Sequence, residues 1–170
     1  MTTPRLVARW LVDEHPETVA LVEESLAFRS VTDASRRLIL TTDGAGGTDD
    51  SAVPFRLRHG FPETLDGDLA DAPFLLAVRV FAADEDRDEF RRWLDEEHCA
   101  RQVGIPGVRW YLGYEEDGPE HSFLNLWGLD DPTIADGAAW VQARDTEWWA
   151  RLAHVPASAD RDVYRRDEAI

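Results

Sequence analysis

In the second half of the chain, some segments have the pattern of β-strands, and others have apolar residues at the spacing of a helix. Three runs are rich in aromatic and β-branched residues and predict strands. These runs are FLLAVRVFA at residues 74–82, VRWYLGYEE at residues 108–116 and SFLNLWGL at residues 122–129. Between the first two, Phe90, Trp93 and Leu94 recur at helical spacing. This helix should end before Gly104, because the Gly-Ile-Pro-Gly turn that follows cannot continue it.

A second helical pattern and a last short strand complete this half. Residues 130–155 open with Asp-Pro-Thr and carry apolar side chains at roughly helical spacing, which predicts one helix. The run RDVYRR at residues 161–166 predicts a fourth strand. The resulting order βαββαβ is that of a ferredoxin-like domain, an α+β fold with an antiparallel sheet.

The first half follows the same plan less completely. The pattern predicts strands at residues 5–12, 36–42 and 53–61, with a helix at residues 15–28 and a flexible loop at residues 43–52. This βαββ order is interpreted as a partial, degenerate ferredoxin-like unit that lacks the last helix and strand. We therefore predict two units, an N-terminal unit or extension at residues 1–72 and a ferredoxin-like domain at residues 73–170.

Composition narrows the classes of partner. The chain of 170 residues has 34 acidic and 18 basic residues, and its formal net charge of -16 disfavours nucleic acid and anionic membranes as partners. No apolar run approaches the ~20 residues that a membrane span needs. The single cysteine, Cys99, leaves no internal disulfide and no multi-cysteine metal site. These features predict a cytoplasmic protein.

The helix and turn before the second strand resemble a known pattern. The stretch EFRRWLDEEHCARQVGIPGV, the aromatic strand after it and the segments GPEHSFLNLWGL and AAWVQARDTEWWARL resemble the dimeric α/β-barrel superfamily. Within it, the chain resembles the EthD-like and small polyketide-cyclase branch. The matching positions are Phe90, Trp93, Glu97, His98, Pro106, Gly107 and Tyr114. The sequence departs from the pattern at Leu94, Gly113 and Trp127, where the family often has an aromatic residue, Arg and Tyr.

The resemblance implies a four-stranded sheet with helices on one face. The other face closes against a partner sheet, and the ligand pocket lies either between sheet and helices or within the barrel. An uncovered apolar face favours a homodimer, and a monomer closed by the first half's strands is the alternative. Alternation along the strand at residues 122–129 places Phe123, Asn125 and Trp127 on one mixed face, which we expect to line the barrel interior or a subunit interface.

His98 is the first candidate for chemistry. An imidazole with an ordinary pKa near 6.5 suits proton transfer at neutral pH, and a helix C-terminus would favour its charged form. The alternative is a structural histidine that caps the helix under the Pro-Gly turn. A metal at His98 is not expected, because Leu94 and Gln102 occupy the positions four residues before and after it.

Other candidates follow from residue type and strand position. Arg79 is a charge in an apolar strand, so it either binds a carboxylate or enolate oxygen or pairs with a structural acid. Tyr111 and Tyr114 can donate to a phenolate or carbonyl, although strand aromatics are also ordinary core. The same two readings apply to the candidate substrate-binding residues, which are Trp93, Trp110, Phe123, Asn125, Trp127 and Trp148.

These residues predict an enzyme that needs no cofactor. The substrate would be a small aromatic or polyketide-like molecule of natural-product metabolism, and the reaction a cyclisation, isomerisation or oxygenation. His98 would move a proton, and Arg79 or a tyrosine would stabilise an enolate in an aromatic-lined pocket. The alternative is a non-catalytic module that binds small molecules or partners on the same barrel. Which of the two holds depends on whether His98 faces a cavity.

Overall fold

The computed structural model describes residues 5–12, 25–42, 52–61, 71–118, 120–155 and 159–167. The strands are β1 (Arg5–Val12), β2 (Ser25–Ser30), β3 (Arg36–Thr42), β4 (Val53–Phe61), β5 (Phe74–Val80), β6 (Val108–Glu116), β7 (Phe123–Leu129) and β8 (Asp160–Arg166). The helices are α1 (Asp84–Trp93), a π-helical turn (Leu94–His98), α2 (Cys99–Val103), a 3-10 helix (Pro132–Asp136), α3 (Ala138–Arg144) and α4 (Glu147–Leu152). None of the described helices has the length and apolar character that crossing a bilayer requires.

The strands form one closed antiparallel barrel. Their order is β1-β3-β2-β8-β5-β7-β6-β4, and β4 pairs back onto β1. The second half contributes β8-β5-β7-β6 and the first half β4-β1-β3-β2, so both halves use the same strand order. The ferredoxin-like antiparallel plan is therefore confirmed, and strands β1, β3, β4 and β6 begin and end at the predicted residues.

The first half has more strands than the sequence predicts. Ser25–Ser30 form β2, which pairs with both β3 and β8. The prediction of a helix reaching residue 28 is wrong at its end, because Ser25–Ser30 are extended and form strand pairs on both sides. The rest of that predicted helix and residues 43–51 of the predicted loop lie outside the described residues. With β2 present, the first half does not lack a fourth strand.

The predicted single helix at residues 130–155 is broken into three pieces. Asp131 starts the 3-10 helix by accepting a hydrogen bond from the backbone N–H of Thr133 at 2.8 Å. Gly137 is extended, with φ -69° and ψ 158°, and separates this turn from α3. Thr146 then caps α4 by accepting from the N–H of Trp149 at 3.1 Å. Local hydrogen bonds of Asp and Thr side chains thus compete successfully with a continuous helix.

Two apolar clusters lie on opposite faces of the second half's sheet. The barrel interior is filled by side chains of both halves, including Leu6, Phe28, Leu38, Leu40, Phe55, Leu75, Trp110, Leu112, Leu124, Leu126 and Tyr164. The other cluster lies between the sheet and the helices and includes Leu76, Phe90, Trp93, Tyr111, Phe123, Trp127, Trp140 and Leu152. The alternation predicted for β7 is confirmed. Its mixed face, however, meets the helices and not the barrel interior.

Closure within one chain covers the face that was expected to be open. Strands β2 and β4 of the first half pair with β8 and β6 of the second, which is the monomeric alternative for closing the barrel. The closed sheet removes the argument that a partner sheet is needed. A homodimer would have to form through the outside of the barrel, and it stays a prediction.

Candidate functional site

A cavity of about 390 Å³ lies between the second half's sheet and the helices. Its size falls within the range of about 300–1,000 Å³ found for small-molecule sites. The walls are mostly apolar and aromatic. They also contain four polar groups, which are one imidazole, one amide and two guanidinium groups. The lining includes Val78, Val80, Phe90, Trp93, Leu94, His98, Asn125, Trp127, Arg144, Trp149 and Arg161. Four of the residues predicted from sequence therefore meet here: His98, Trp93, Asn125 and Trp127.

His98 is buried in this wall in its neutral form. Its ring stacks on Trp93 with centroids 4.2 Å apart and meets the edge of Trp127 at 5.9 Å. Only 7% of the residue is exposed, and its Nδ1 has no hydrogen-bond partner in the described part of the chain. Burial, together with the positive charge of Arg144, lowers the pKa of His98 from 6.5 to about 3. The expectation of a histidine charged by a helix C-terminus is therefore wrong, because burial disfavours the charged form and the helix continues beyond His98 to Val103.

A π-helical turn brings Trp93 and His98 together. The backbone N–H of Cys99 donates to the carbonyl oxygen of Leu94, five residues earlier, and the helix then continues through α2 to Val103. In a regular α-helix, side chains five apart point about 140° away from each other. The wider turn brings Trp93 and His98 close enough for their rings to stack. His98 thus lies inside a helix and does not cap one.

A buried hydrogen-bond chain reaches the cavity through Asn125. The hydroxyl of Tyr111 donates to Asn125 Oδ1 at 2.7 Å, and Arg58 Nη2 lies 3.4 Å from the same hydroxyl oxygen. Arg58 belongs to β4 of the first half and also pairs with Asp95 in the π-helical turn. The Asn125 carbonyl oxygen accepts from Tyr111, and the NH₂ group of Asn125 has no hydrogen bond to another described residue. This NH₂ group can therefore donate to a ligand.

Tyr111 supports the cavity from behind without lining it. Its ring lies 5.1 Å from Trp127, and burial raises the pKa of its hydroxyl well above 10. The same surroundings raise the pKa of the neighbouring Cys99 thiol to about 12, with burial as the main cause. Both groups are therefore protonated at neutral pH, and Tyr111 acts here as a donor to Asn125.

Gly113 is small because two polar groups occupy the space beside it. A Cβ at this position would clash with the Tyr111 hydroxyl and lie 2.9 Å from Arg58 Nη2. The resembled family often has Arg at this position. In this chain, Arg58 on the neighbouring strand brings a guanidinium group to the same place, since His59 next to it pairs with Gly113.

Two arginines of the cavity wall, Arg144 and Arg161, were not predicted from the sequence. Arg144 ends α3, and its guanidinium carbon lies 4.8 Å from the centre of the Trp149 ring. Arg161 is the second residue of β8. It donates to the carbonyl oxygen of Ala135 at 2.7 Å and pairs with Asp136 at 3.0 Å. No local motif marks these residues, because they meet His98 only after α3, α4 and β8 fold back over the sheet.

Arg79, Tyr114 and Trp110 lie on the face of the sheet opposite the cavity. Arg79 donates to Ser122 at 2.9 Å and pairs with Glu116 at 3.0 Å, which is the structural pairing weighed as its alternative. Trp110 and Tyr114 belong to the cluster inside the barrel, and Trp110 Nε1 donates to Asp71 at 2.9 Å. These three residues are not near enough to His98 to share a reaction with it, so we leave them out of the proposed site.

Phe123 and Trp148 lie on the helix side but do not line the cavity. Phe123 is buried against Phe90, with ring centroids 5.4 Å apart. Trp148 is partly buried against the same cluster, under the guanidinium group of Arg92 at 5.7 Å. Both side chains pack in or against the apolar cluster, several of whose other members line the cavity. Across the described residues, no group of three or more His, Cys, Asp or Glu side chains is placed to hold a metal ion.

Comparison with known proteins supports the fold. No protein-family model matches the chain, and no curated protein matches it in sequence. A monooxygenase-like protein from Listeria innocua has a similar structure, with TM-score 0.67, 10% identity, and coverage of 99% of this chain and 96% of that one. A heme-degrading enzyme from Listeria monocytogenes aligns with TM-score 0.61 and 10% identity over 96% and 99% of the two chains. An anthrone oxidase-like protein aligns with TM-score 0.65 and 13% identity over 98% and 92%.

At these identities the likeness concerns the fold alone. The chain shares its ferredoxin-like fold with a protein from Listeria monocytogenes related to antibiotic biosynthesis monooxygenases, and this is the fold that the resemblance implied. The narrower EthD-like and cyclase branch finds no counterpart among these structures.

Proposed function

We propose that the chain is a cofactor-independent oxygenase that binds a small aromatic molecule in the cavity beside His98. The observation that carries this proposal is the neutral, buried imidazole of His98 in a wall of stacked tryptophans. Flat aromatic walls favour a flat aromatic ligand, and a neutral imidazole can accept a proton from it. The names of the similar structures, monooxygenase-like and anthrone oxidase-like, support oxygenation over cyclisation or isomerisation.

The proposed reaction begins with loss of a proton from a carbon next to a phenol or ketone ring. With its own proton on Nδ1, His98 presents the lone pair of Nε2 and takes this proton, which leaves a delocalised enolate. The NH₂ group of Asn125 donates a hydrogen bond to the enolate oxygen. Molecular oxygen then adds to the carbanion carbon, and the resulting peroxide anion takes the proton back from His98 to give a hydroperoxide. Loss of water from the hydroperoxide converts the CH₂ group to a carbonyl, so one oxygen atom enters the product and the other leaves as water.

The low pKa of His98 determines when it can act as a base. In the empty cavity a pKa of about 3 makes the imidazole a weak proton acceptor. An enolate formed next to it would stabilise the imidazolium as an ion pair and raise that pKa. His98 therefore becomes an effective base only with a ligand that turns anionic beside it.

The same low pKa supports a second candidate, a module that binds aromatic molecules without converting them. A neutral imidazole between Trp93 and Trp127 is also a good wall for a flat ligand. The cyclase or isomerase reading of the EthD-like resemblance starts from the same proton transfer and differs from oxygenation only in what the enolate does next.

Oxygen uptake tests the proposal. Wild type and His98→Phe would be incubated with a hydroxylated anthrone, which carries the required CH₂ group, while dissolved oxygen is recorded. Phenylalanine keeps a flat ring against Trp93 and removes both ring nitrogens. Loss of the general base should lower the rate by about 10²–10⁴-fold.

His154→Ala is the matched control, since His154 is exposed and pairs with Asp86 on α1 at 3.0 Å, outside the cavity. It should retain the wild-type rate. Equal rates in wild type and His98→Phe would contradict the role of His98. Saturable binding of the anthrone without any oxygen uptake would favour the binding module.

A further inference from the structure

Arg144 lines the cavity from the end of α3. Its side chain is partly buried, and it has no carboxylate within ion-pairing distance among the described residues. The other arginine of the wall, Arg161, is by contrast held by Asp136 and a backbone carbonyl. In a chain with 34 acidic and 18 basic residues, an arginine beside an apolar cavity that pairs with none of the described carboxylates calls for an explanation.

The position of Arg144 is fixed by an aromatic contact. Its guanidinium group lies over the Trp149 ring at 4.8 Å, and Trp149 stacks on Trp93 with centroids 5.1 Å apart. Trp93 in turn stacks on His98. Arg144, Trp149, Trp93 and His98 therefore form one continuous stack along the cavity wall. A cation–π contact holds the guanidinium plane while leaving its N–H donors free.

The positive charge of Arg144 lowers the pKa of His98 in the cavity wall. It is the second cause, after burial, of the low pKa of His98. A cation that close to an uncharged ring raises the cost of any further positive charge and lowers the cost of a negative one.

We propose that the ligand of this cavity is an aromatic carboxylate, whose rings lie between the tryptophans and whose carboxylate is bound by the free guanidinium fork of Arg144. A guanidinium group matches the two oxygens of a carboxylate, whereas a phenol offers one oxygen and is uncharged at neutral pH. The Asn125 NH₂ donor and neutral His98 lie in the same wall and meet the reacting end of the ligand. This inference rests on the proposed function for the location of the ligand and adds the charge that the ligand carries.

The net charge of the chain limits where an anionic ligand can bind. A protein with a net charge of -16 repels anions at long range, so an anionic ligand gains affinity only where a cation stands close to it. Neutral aromatic molecules of the same shape should therefore bind less tightly than the carboxylate, and the difference should come from Arg144.

The test is a matched set of probes and variants studied by titration calorimetry without oxygen. The probes are 3-hydroxy-2-naphthoic acid, its carboxamide and 2-naphthol, which share the same rings. Wild type should bind the acid about tenfold more tightly than the carboxamide, the expected scale for a charge-assisted contact. Arg144→Gln should bind acid and carboxamide alike, and Arg144→Lys should keep part of the preference.

Arg151→Gln is the control for overall charge. Arg151 on α4 is exposed, pairs with Glu89 at 3.5 Å and lies outside the cavity wall. This variant should keep the wild-type preference. The proposal is overturned if wild type does not prefer the acid, if Arg144→Gln and Arg144→Lys both retain the full preference, or if none of the probes binds.

Oxygen uptake separates this inference from the proposed function. A preference for the acid that depends on Arg144, without oxygen uptake, would support the ligand class and leave the binding module as the function. Oxygen uptake with equal affinity for acid and carboxamide would support the oxygenase and contradict the role of Arg144.

Discussion

His98 owes its properties to its surroundings. A solvated imidazole has a pKa near 6.5, and a helix C-terminus would raise it. In the folded chain, burial among Trp93 and Trp127 with Arg144 nearby moves the pKa in the opposite direction, to about 3. The motif around His98 identified the residue as a candidate. Its charge state depends on residues up to 46 positions away that no local pattern reveals.

This burial should make folding stability depend on pH. Between pH 6.5 and about 3, the unfolded chain protonates His98 and the folded chain does not, so acid favours unfolding in that window. Going from pH 7.5 to pH 5, His98 should cost the folded state about 2 kcal/mol. Urea unfolding of wild type and His98→Phe at both pH values measures this. His98→Phe should lose about 2 kcal/mol less than wild type, and equal losses would show that His98 is not buried in neutral form.

Strand β6 illustrates how far an element could be predicted. Its bounds, Val108–Glu116, follow from the aromatic and β-branched run and are observed without change. Its two faces could not be assigned, because nearly every residue in it is buried and both faces are aromatic. Only the packing shows that Tyr111 meets the helices and Tyr114 the barrel interior.

The end of the helix between β5 and β6 could be predicted, but its internal geometry could not. The segment between β5 and β6 was predicted as one helix that ends before Gly104. That end is confirmed, with a π-helical turn inside the helix. That turn depends on packing against the sheet, since nothing in LDEEH itself breaks an α-helical pattern. It is also the feature that stacks His98 on Trp93, so the geometry of the site could not be read from helical spacing.

The two tyrosines of β6 offer a matched test of its faces. Tyr111→Phe removes the donor to Asn125 Oδ1 and leaves a buried acceptor unpaired, which should cost about 1–3 kcal/mol in the free energy of unfolding. Tyr114→Phe removes a hydroxyl that has no hydrogen bond to another described residue, so it should cost less than about 1 kcal/mol. Chemical denaturation gives both values. A larger loss for Tyr114→Phe would contradict the assignment of the faces.

At the scale of the whole molecule, both halves contribute to one closed sheet but not equally to the described cavity. The first half supplies four strands in the order β4-β1-β3-β2 and closes the barrel against β6 and β8. Its Arg58 reaches across to Asp95 and Tyr111, behind the cavity wall. The division of the chain at residue 72 stays a prediction, since a sheet shared by both halves is compatible with one folding unit or two.

The barrel interior and the cavity are separate compartments, and a ligand should enter only the cavity. The barrel interior is packed with side chains, and the cavity lies outside it under α1, α3 and α4. The tryptophans divide the same way: Trp10 and Trp110 belong to the interior, whereas Trp93, Trp127 and Trp149 line the cavity.

The most direct measurement follows the tryptophan indole N–H resonances by ¹⁵N NMR while 3-hydroxy-2-naphthoic acid is added. Seven tryptophans give at most seven such signals, which substitution to phenylalanine can assign one by one. The resonances of Trp93, Trp127 and Trp149 should shift together and saturate, while those of Trp10 and Trp110 stay in place. Saturable shifts at Trp10 and Trp110 instead, or no saturable shift at the three cavity tryptophans, would contradict a ligand site beside His98.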